Sequence, residues 1–114
     1  MTSDDFIEQI FKRVLNENTN IYSNLLENTN VNEATDANWQ KVLEVYQKLD
    51  DSEKSKFRGF IRQIITDTIS NIFAVLDGVT WLETQTDDFV LSHSNTKLNG
   101  DLQDVFLAKT ERET

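Results

Sequence analysis

The chain contains no cysteine, one histidine (His93) and only three glycines in 114 residues. Without cysteine there can be no disulfide, no thiolate nucleophile and no cysteine-held metal, and a cytoplasmic setting is the expectation that fits. A single imidazole cannot supply the several ligands of a zinc site. Glycines at 59, 78 and 100 are too scattered for a phosphate-cradling loop or a dinucleotide fingerprint. The opening MTSDDFIEQIF is acidic and lacks the basic and apolar regions of a signal peptide. The longest apolar segment is interrupted by Arg62 and Asp67, so no membrane span is expected either. A hydrolytic triad would have to combine His93 with Ser92 or Ser94. Neither serine has a Gly-x-Ser-x-Gly frame, and neighbours on a strand point to opposite faces.

What is present is enough for one hydrophobic core. The length suits a single domain over 1–114, and hydrophobic residues at 38%, with seven Phe, two Trp and two Tyr, can fill it. A mean hydropathy of −0.50 indicates a strongly polar surface. Twenty acids against eleven bases leave a net charge of −9, which repels nucleic-acid phosphates and favours basic partners. The charge is uneven. Residues 1–51 carry ten acids and four bases, residues 77–114 eight and three, whereas residues 52–76 carry two acids and four bases.

The apolar pattern predicts a mainly α protein, a helical bundle around a long central helix. Phe6, Ile7, Ile10, Phe11, Val14 and Leu15, then Ile21, Tyr22, Leu25 and Leu26, form the stripe of a first amphipathic helix capped by Thr2 or Ser3. The asparagines of NENTN would end it, yet the stripe keeps its phase beyond them, so one kinked helix and two short ones are both open. NTNVNEATDAN reads as a loop that ends in a cap at Thr35 or Asp36. Trp39, Val42, Leu43, Tyr46 and Leu49 mark the next helix.

The central helix is expected over about 52–77, with Ser52 as its cap and Gly78 as a left-handed residue just past its end. Its apolar positions cover more than half the circumference, which implies packing on several sides. The strip left over, Gly59, Gln63, Thr66, Ser70 and Ala74, is small and uncharged. It suits close approach by the chain's own segments or by a second subunit, so a homo-oligomer through Gly59, Thr66, Ser70 and Ala74 is one expectation. Beyond Gly78 the alternation Phe89, Leu91, His93 predicts a small β-hairpin near 89–99, followed by a short C-terminal helix. In that helix Asp101 and Asp104 resemble a capping box. The tail over 108–114 is expected to fray.

Leu76 to Phe106 gathers five aspartates, the histidine and two glycines, but these read as punctuation. A calcium loop with Gly100 at its turn position would begin at Asn95 and put Lys97 and Phe106 where carboxylates are needed. Asp67 is different, because it borders the apolar arc of the central helix. With Thr68 and Asn71 it would form either a satisfied polar network or the floor of a pocket. The bases Lys54, Lys56, Arg58 and Arg62 crowd the first turns of that helix, against its dipole, and call for neutralisation by Asp50, Asp51 or the acidic first helix.

The pattern Leu76-Asp77-Gly78 followed by Leu98, Gly100-Asp101-Leu102-Gln103-Asp104 and Phe106 resembles a C-terminal signature of small uncharacterised bacterial proteins with a helical body. The resemblance covers the last third to half of the chain. It implies a small bacterial cytosolic protein and carries over no catalytic or binding residue.

Three functional expectations follow. The first is a non-enzymatic acidic interaction domain, immunity- or antitoxin-like, that covers a basic protein surface through acids such as Glu8, Glu17, Glu44, Asp50 and Asp51, with no cofactor, nucleic acid or membrane involved. The alternative is a small-ligand or regulatory domain with a pocket beside the central helix at Asp67, Thr68 and Asn71. An enzyme using magnesium at Asp67, Asp77 or Asp101 ranks last, because no ligand spacing supports it.

Overall fold

A computed structural model describes residues 1–113. Helix α1 (Ser3–Ile10) continues through a π-helical segment (Phe11–Asn16) into α2 (Glu17–Asn28), with helical backbone at both junctions. The open question at NENTN is thereby answered by one continuous rod. Ile7, Phe11 and Leu15 are four residues apart, a spacing that drifts around a regular α-helix. The wider π turn absorbs the drift and keeps all three buried on one side. Thr19 does not break the rod, because its hydroxyl donates to the Leu15 carbonyl at 2.7 Å. Thr2 caps α1 in a full capping box with Asp5.

A 3-10 turn (Val31–Glu33) leads to α3 (Ala37–Gln47), capped by Asp36. Helix α4 (Asp51–Leu76) is the long central helix. Its cap is not Ser52 but Asp50, which accepts from the Glu53 N–H at 2.8 Å while the Glu53 carboxylate accepts from the Asp50 N–H at 3.0 Å. Asp50 prevails because Glu53 stands three residues ahead of it, where a reciprocal partner is needed. At the other end Gly78, at φ +80°, closes a Schellman turn: Val79 N–H reaches the Ala74 carbonyl at 2.9 Å and Gly78 N–H that of Val75 at 3.2 Å.

The hairpin is smaller than the alternation suggests. Strands β1 (Ser92–His93) and β2 (Thr96–Lys97) pair antiparallel around Ser94 and Asn95, both at positive φ, and one more bond joins Leu98 to Leu91. Phe89 and His93 are exposed, and only Leu91 of the alternating set packs inward. Helix α5 (Leu102–Arg112) then lies against α4 and α1.

Within the tail expected to fray over 108–114, α5 runs through to Arg112 among the described residues. Lys109 explains this. It pairs with Glu8 at 2.7 Å and lies 4.8 Å from the Phe11 ring centre, so the last turns are tied down by both charge and packing. Residue 114 lies outside the described residues.

Two hydrophobic clusters are strung along α4. The larger joins Ile7, Phe11 and Leu15 to Phe73, Leu102 and Phe106. The smaller gathers around Leu26, Leu43 and Tyr46, with Phe57 and Ile61 packed on it. The result is elongated, 49 × 33 × 23 Å with a radius of gyration of 17.5 Å, against about 13 Å for a compact chain of this length. The broad apolar arc of α4 is accordingly not covered all round. Phe60, Ile64 and Ile72 are 62%, 50% and 57% exposed. Among the described residues, no helix is long and apolar enough to cross a membrane.

Candidate functional site

The aspartates of the Leu76–Phe106 stretch divide into one fastener and four surface residues. Asp77 holds the start of α5 from a distance: one carboxylate oxygen accepts from Gly100 N–H at 2.7 Å, the other from Gln103 N–H at 2.8 Å. Asp101, the expected cap, makes no capping bond and is exposed. A carboxylate from the end of α4 already occupies the Gln103 N–H, one of those that Asp101 would have satisfied. Asn99, buried beside it, accepts from Leu91 N–H at 2.8 Å and donates to the carbonyls of Phe89, at 2.8 Å, and Leu76. Asp87, Asp88, Asp104 and His93 are exposed. Among the described residues, no group of three or more His, Cys, Asp or Glu converges as a metal site.

The polar trio of α4 does not assemble. Asp67 is exposed, accepts from Gln63 Nε2 at 2.8 Å, and lines an open groove of about 400 Å³ between α4 and α5 with Arg62, Thr66, Leu107 and Thr110. Thr68 and Asn71 face solvent outside that groove. The C-terminal end of the small-residue strip is covered from within the chain. Ser70 and Ala74 are buried, and the Ser70 hydroxyl accepts from Gln103 Nε2 of α5 at 3.1 Å. Thr66 is half-buried in the groove wall, and Gly59 is open to solvent.

Of the acids expected to meet a partner, Glu8 is engaged with Lys109, Glu17 with Arg13 at 3.6 Å, and Asp50 with its own helix. Glu44 and Asp51 are exposed. Of the basic group on α4, Arg58 pairs with an acid of the first rod, while Lys54 and Arg62 lie over the Tyr46 and Phe11 rings. Arg58 reaches Glu27 and donates to the Tyr46 hydroxyl at 2.6 Å; that hydroxyl in turn donates to Glu27. The Tyr46 bond, assisted by Arg58, holds the Glu27 carboxyl below its usual range. Burial, together with the bond to Glu27, pushes the Tyr46 phenol up.

The most developed surface feature is one the residue patterns did not single out. Tyr22 of α2 and Trp39 of α3 stack with ring centres 5.8 Å apart and planes 22° apart, and Tyr22 remains 41% exposed. On one side of Trp39 lies a groove of about 300 Å³, walled by Tyr22, Leu26, Val42, Phe57 and Ile61. On the other lies a pocket of about 190 Å³, formed with Leu25, Thr29, Ala34 and Leu43 and edged by Glu33 and Asp36. The Asp36 carboxylate fixes the Trp39 backbone by accepting its N–H at 3.1 Å, and Asn30 Nδ2 holds the Glu33 carboxylate at 3.1 Å. Tyr22 and Trp39 both read as ordinary stripe residues in the sequence. The available signal was the doubling Ile21-Tyr22 and Leu25-Leu26, a stripe wider than α3 alone can cover.

Comparison of the chain with protein-family models, with curated proteins and with solved structures returned no match.

Proposed function

We propose that this protein is a non-enzymatic interaction domain whose Tyr22–Trp39 surface takes an apolar anchor from a basic segment of another protein. The observation that carries the reading is the stacked aromatic pair, left accessible between two apolar grooves and edged by Glu33 and Asp36. Tyrosine and tryptophan in preformed apolar recesses are the residues that contribute most at protein interfaces, because they bury large area with few rotatable bonds. Glu33 and Asp36, reinforced by the overall charge of −9, favour Lys or Arg around the anchor and speed encounter with a basic surface. A ligand role for the α4–α5 groove has less support, since its Asp67 is already hydrogen-bonded to Gln63 of the same helix.

Trp39 and Trp81 are the only tryptophans, so Trp81→Phe leaves Trp39 as the sole reporter. A synthetic amphipathic helix with leucine on one face and lysine on the other is expected to change Trp39 emission saturably, with affinity falling as salt rises. Val42→Asp, at the groove wall, should abolish the response without altering the far-UV spectrum. An identical response to a glutamate-for-lysine version of the peptide, or no response to either, would sink the proposal.

A further inference from the structure

Asn99 is the only asparagine of the chain that is followed by glycine, and the fold puts this pair where distant segments are fastened together. The buried Asn99 side chain accepts from Leu91 N–H at 2.8 Å and donates to the carbonyls of Phe89, at 2.8 Å, and Leu76. One amide thereby ties the end of α4 to the chain just before β1 and closes the neck of segment 77–91. The Gly100 N–H is held in turn by the Asp77 carboxylate at 2.7 Å. We propose that Asn99 is a self-modifying site, which loses its amide to the Gly100 nitrogen only when this fastening opens and leaves an acid that prevents it from closing again.

The reaction needs no enzyme, because glycine has no side chain to hinder its own nitrogen. The Gly100 nitrogen gives its proton to hydroxide and attacks Asn99 Cγ. The Cγ–Nδ2 bond breaks, and the amide nitrogen takes a proton from water and leaves as ammonia. Water then opens the cyclic imide at one of its two carbonyls. Opening at Cγ gives aspartate, and opening at the main-chain carbonyl gives isoaspartate, in which the chain runs through Cγ. The closed fastening blocks this twice. The Gly100 proton faces the Asp77 carboxylate, whose charge opposes its removal. The Asn99 amide is held away from its own backbone by its bonds to Leu76, Phe89 and Leu91.

The product does not fit where the amide did. The Leu76 and Phe89 carbonyls are acceptors only, so aspartate would set a buried carboxylate against both of them with no proton to share. Isoaspartate adds a main-chain carbon ahead of Gly100, which moves the Gly100 and Gln103 N–H groups relative to Asp77 and loosens the start of α5. The change runs one way, since ammonia is lost. It frees at its neck the segment that carries the exposed Val79, Trp81 and Leu82.

The full chain, incubated at mildly alkaline pH both folded and in urea, is followed by peptide mass spectrometry that separates the asparagine, aspartate and isoaspartate forms of residue 99. The folded chain is expected to convert at least tenfold more slowly than the unfolded one. Asp77→Ala should speed conversion of the folded chain by about 5–30-fold, in proportion to the weakened fastening. It should leave the rate in urea unchanged, because the two residues are remote in sequence. Hydrogen exchange reads the product: the Leu91 and Gly100 amides should lose protection in the converted fraction and in Asn99→Asp, while Leu15 in the core keeps it. Should Asn99→Asp fail to fold, the converted fraction of the unsubstituted chain carries the same measurement. Equal rates for folded and unfolded chain, or a folded Asp77→Ala rate no higher than that of the unsubstituted chain, would overturn the proposal. So would undiminished protection of Leu91 after conversion.

Discussion

Single residues in this chain act over unexpected sequence distances. Asp77 secures a helix that begins 25 positions later, and Asp101, placed where a cap belongs, secures nothing. Asp77→Ala is expected to cost about 1–2 kcal/mol, because it strips the acceptor at once from the Gln103 N–H of the first turn and from the Gly100 N–H just before the helix. Asp101→Ala should stay within about 0.5 kcal/mol, as an exposed residue outside any bond network. Urea melts of the two variants decide this, and the reverse ranking would restore Asp101 as the cap. The Glu27–Tyr46–Arg58 trio works the same way, joining α2, α3 and α4 through one carboxylate oxygen.

At the scale of elements, α4 serves different neighbours on different faces. Its inward face packs under α1 and α5, Phe57 and Ile61 of its first turns pack on α2 and α3, and Phe60, Ile64 and Ile72 stay exposed. The small-residue strip shows how position along one helix changes a residue's worth. A side chain at Gly59 would meet nothing within 4 Å, so Gly59→Ala should stabilise by about 0.5–1 kcal/mol through reduced backbone freedom in the unfolded chain. Ala74→Leu, buried in the same strip, should destabilise by about 1–3 kcal/mol through overpacking. Thermal melts of both variants test the pair, and similar small effects would mean that α5 does not cover the strip.

For the whole molecule, two clusters joined by one helix make stability depend on the groups that fasten them, and this fixes its pH dependence. Glu27 and Asp5 have carboxyl groups below their usual values of 4.5 and 3.8, Glu27 chiefly through Tyr46 and Asp5 chiefly through the Thr2 backbone. A lowered carboxyl contributes stability above its unfolded value, and that contribution disappears as pH falls through the folded one. Tyr46, raised above 10.0 by burial and by Glu27, contributes below pH 10.0 and loses that contribution as pH rises through its folded value. The melting temperature should therefore fall on both sides, below about pH 4 and above about pH 10. Tyr46→Phe should remove the alkaline limb and flatten the acid one. An alkaline limb that survives in Tyr46→Phe would assign it to other groups.

Much of the secondary structure was legible in the chain itself, because local chemistry decides it. Thr2 and Asp5 form a capping box within one turn, Asp36 caps its own helix, and Gly78 can adopt the φ that a Schellman turn requires. The apolar stripes placed the helices, and the central one is off by a single residue at each end, since Asp50 outcompetes Ser52 through Glu53.

What only the tertiary structure decided depends on distant neighbours. An apolar stripe states that a face prefers to be buried, not whether anything arrives to bury it. Phe60, Ile64 and Ile72 follow the same pattern as Ile65, Ile69 and Phe73 and end on opposite sides. Likewise, Asp101 and Asp77 offer the same carboxylate. Which one holds α5 was settled by how close the fold brings the end of α4 to Gly100 and Gln103. The Tyr22–Trp39 surface is of the same kind: its two rings are 17 positions apart in sequence and become a stacked pair only when α3 folds back along α2.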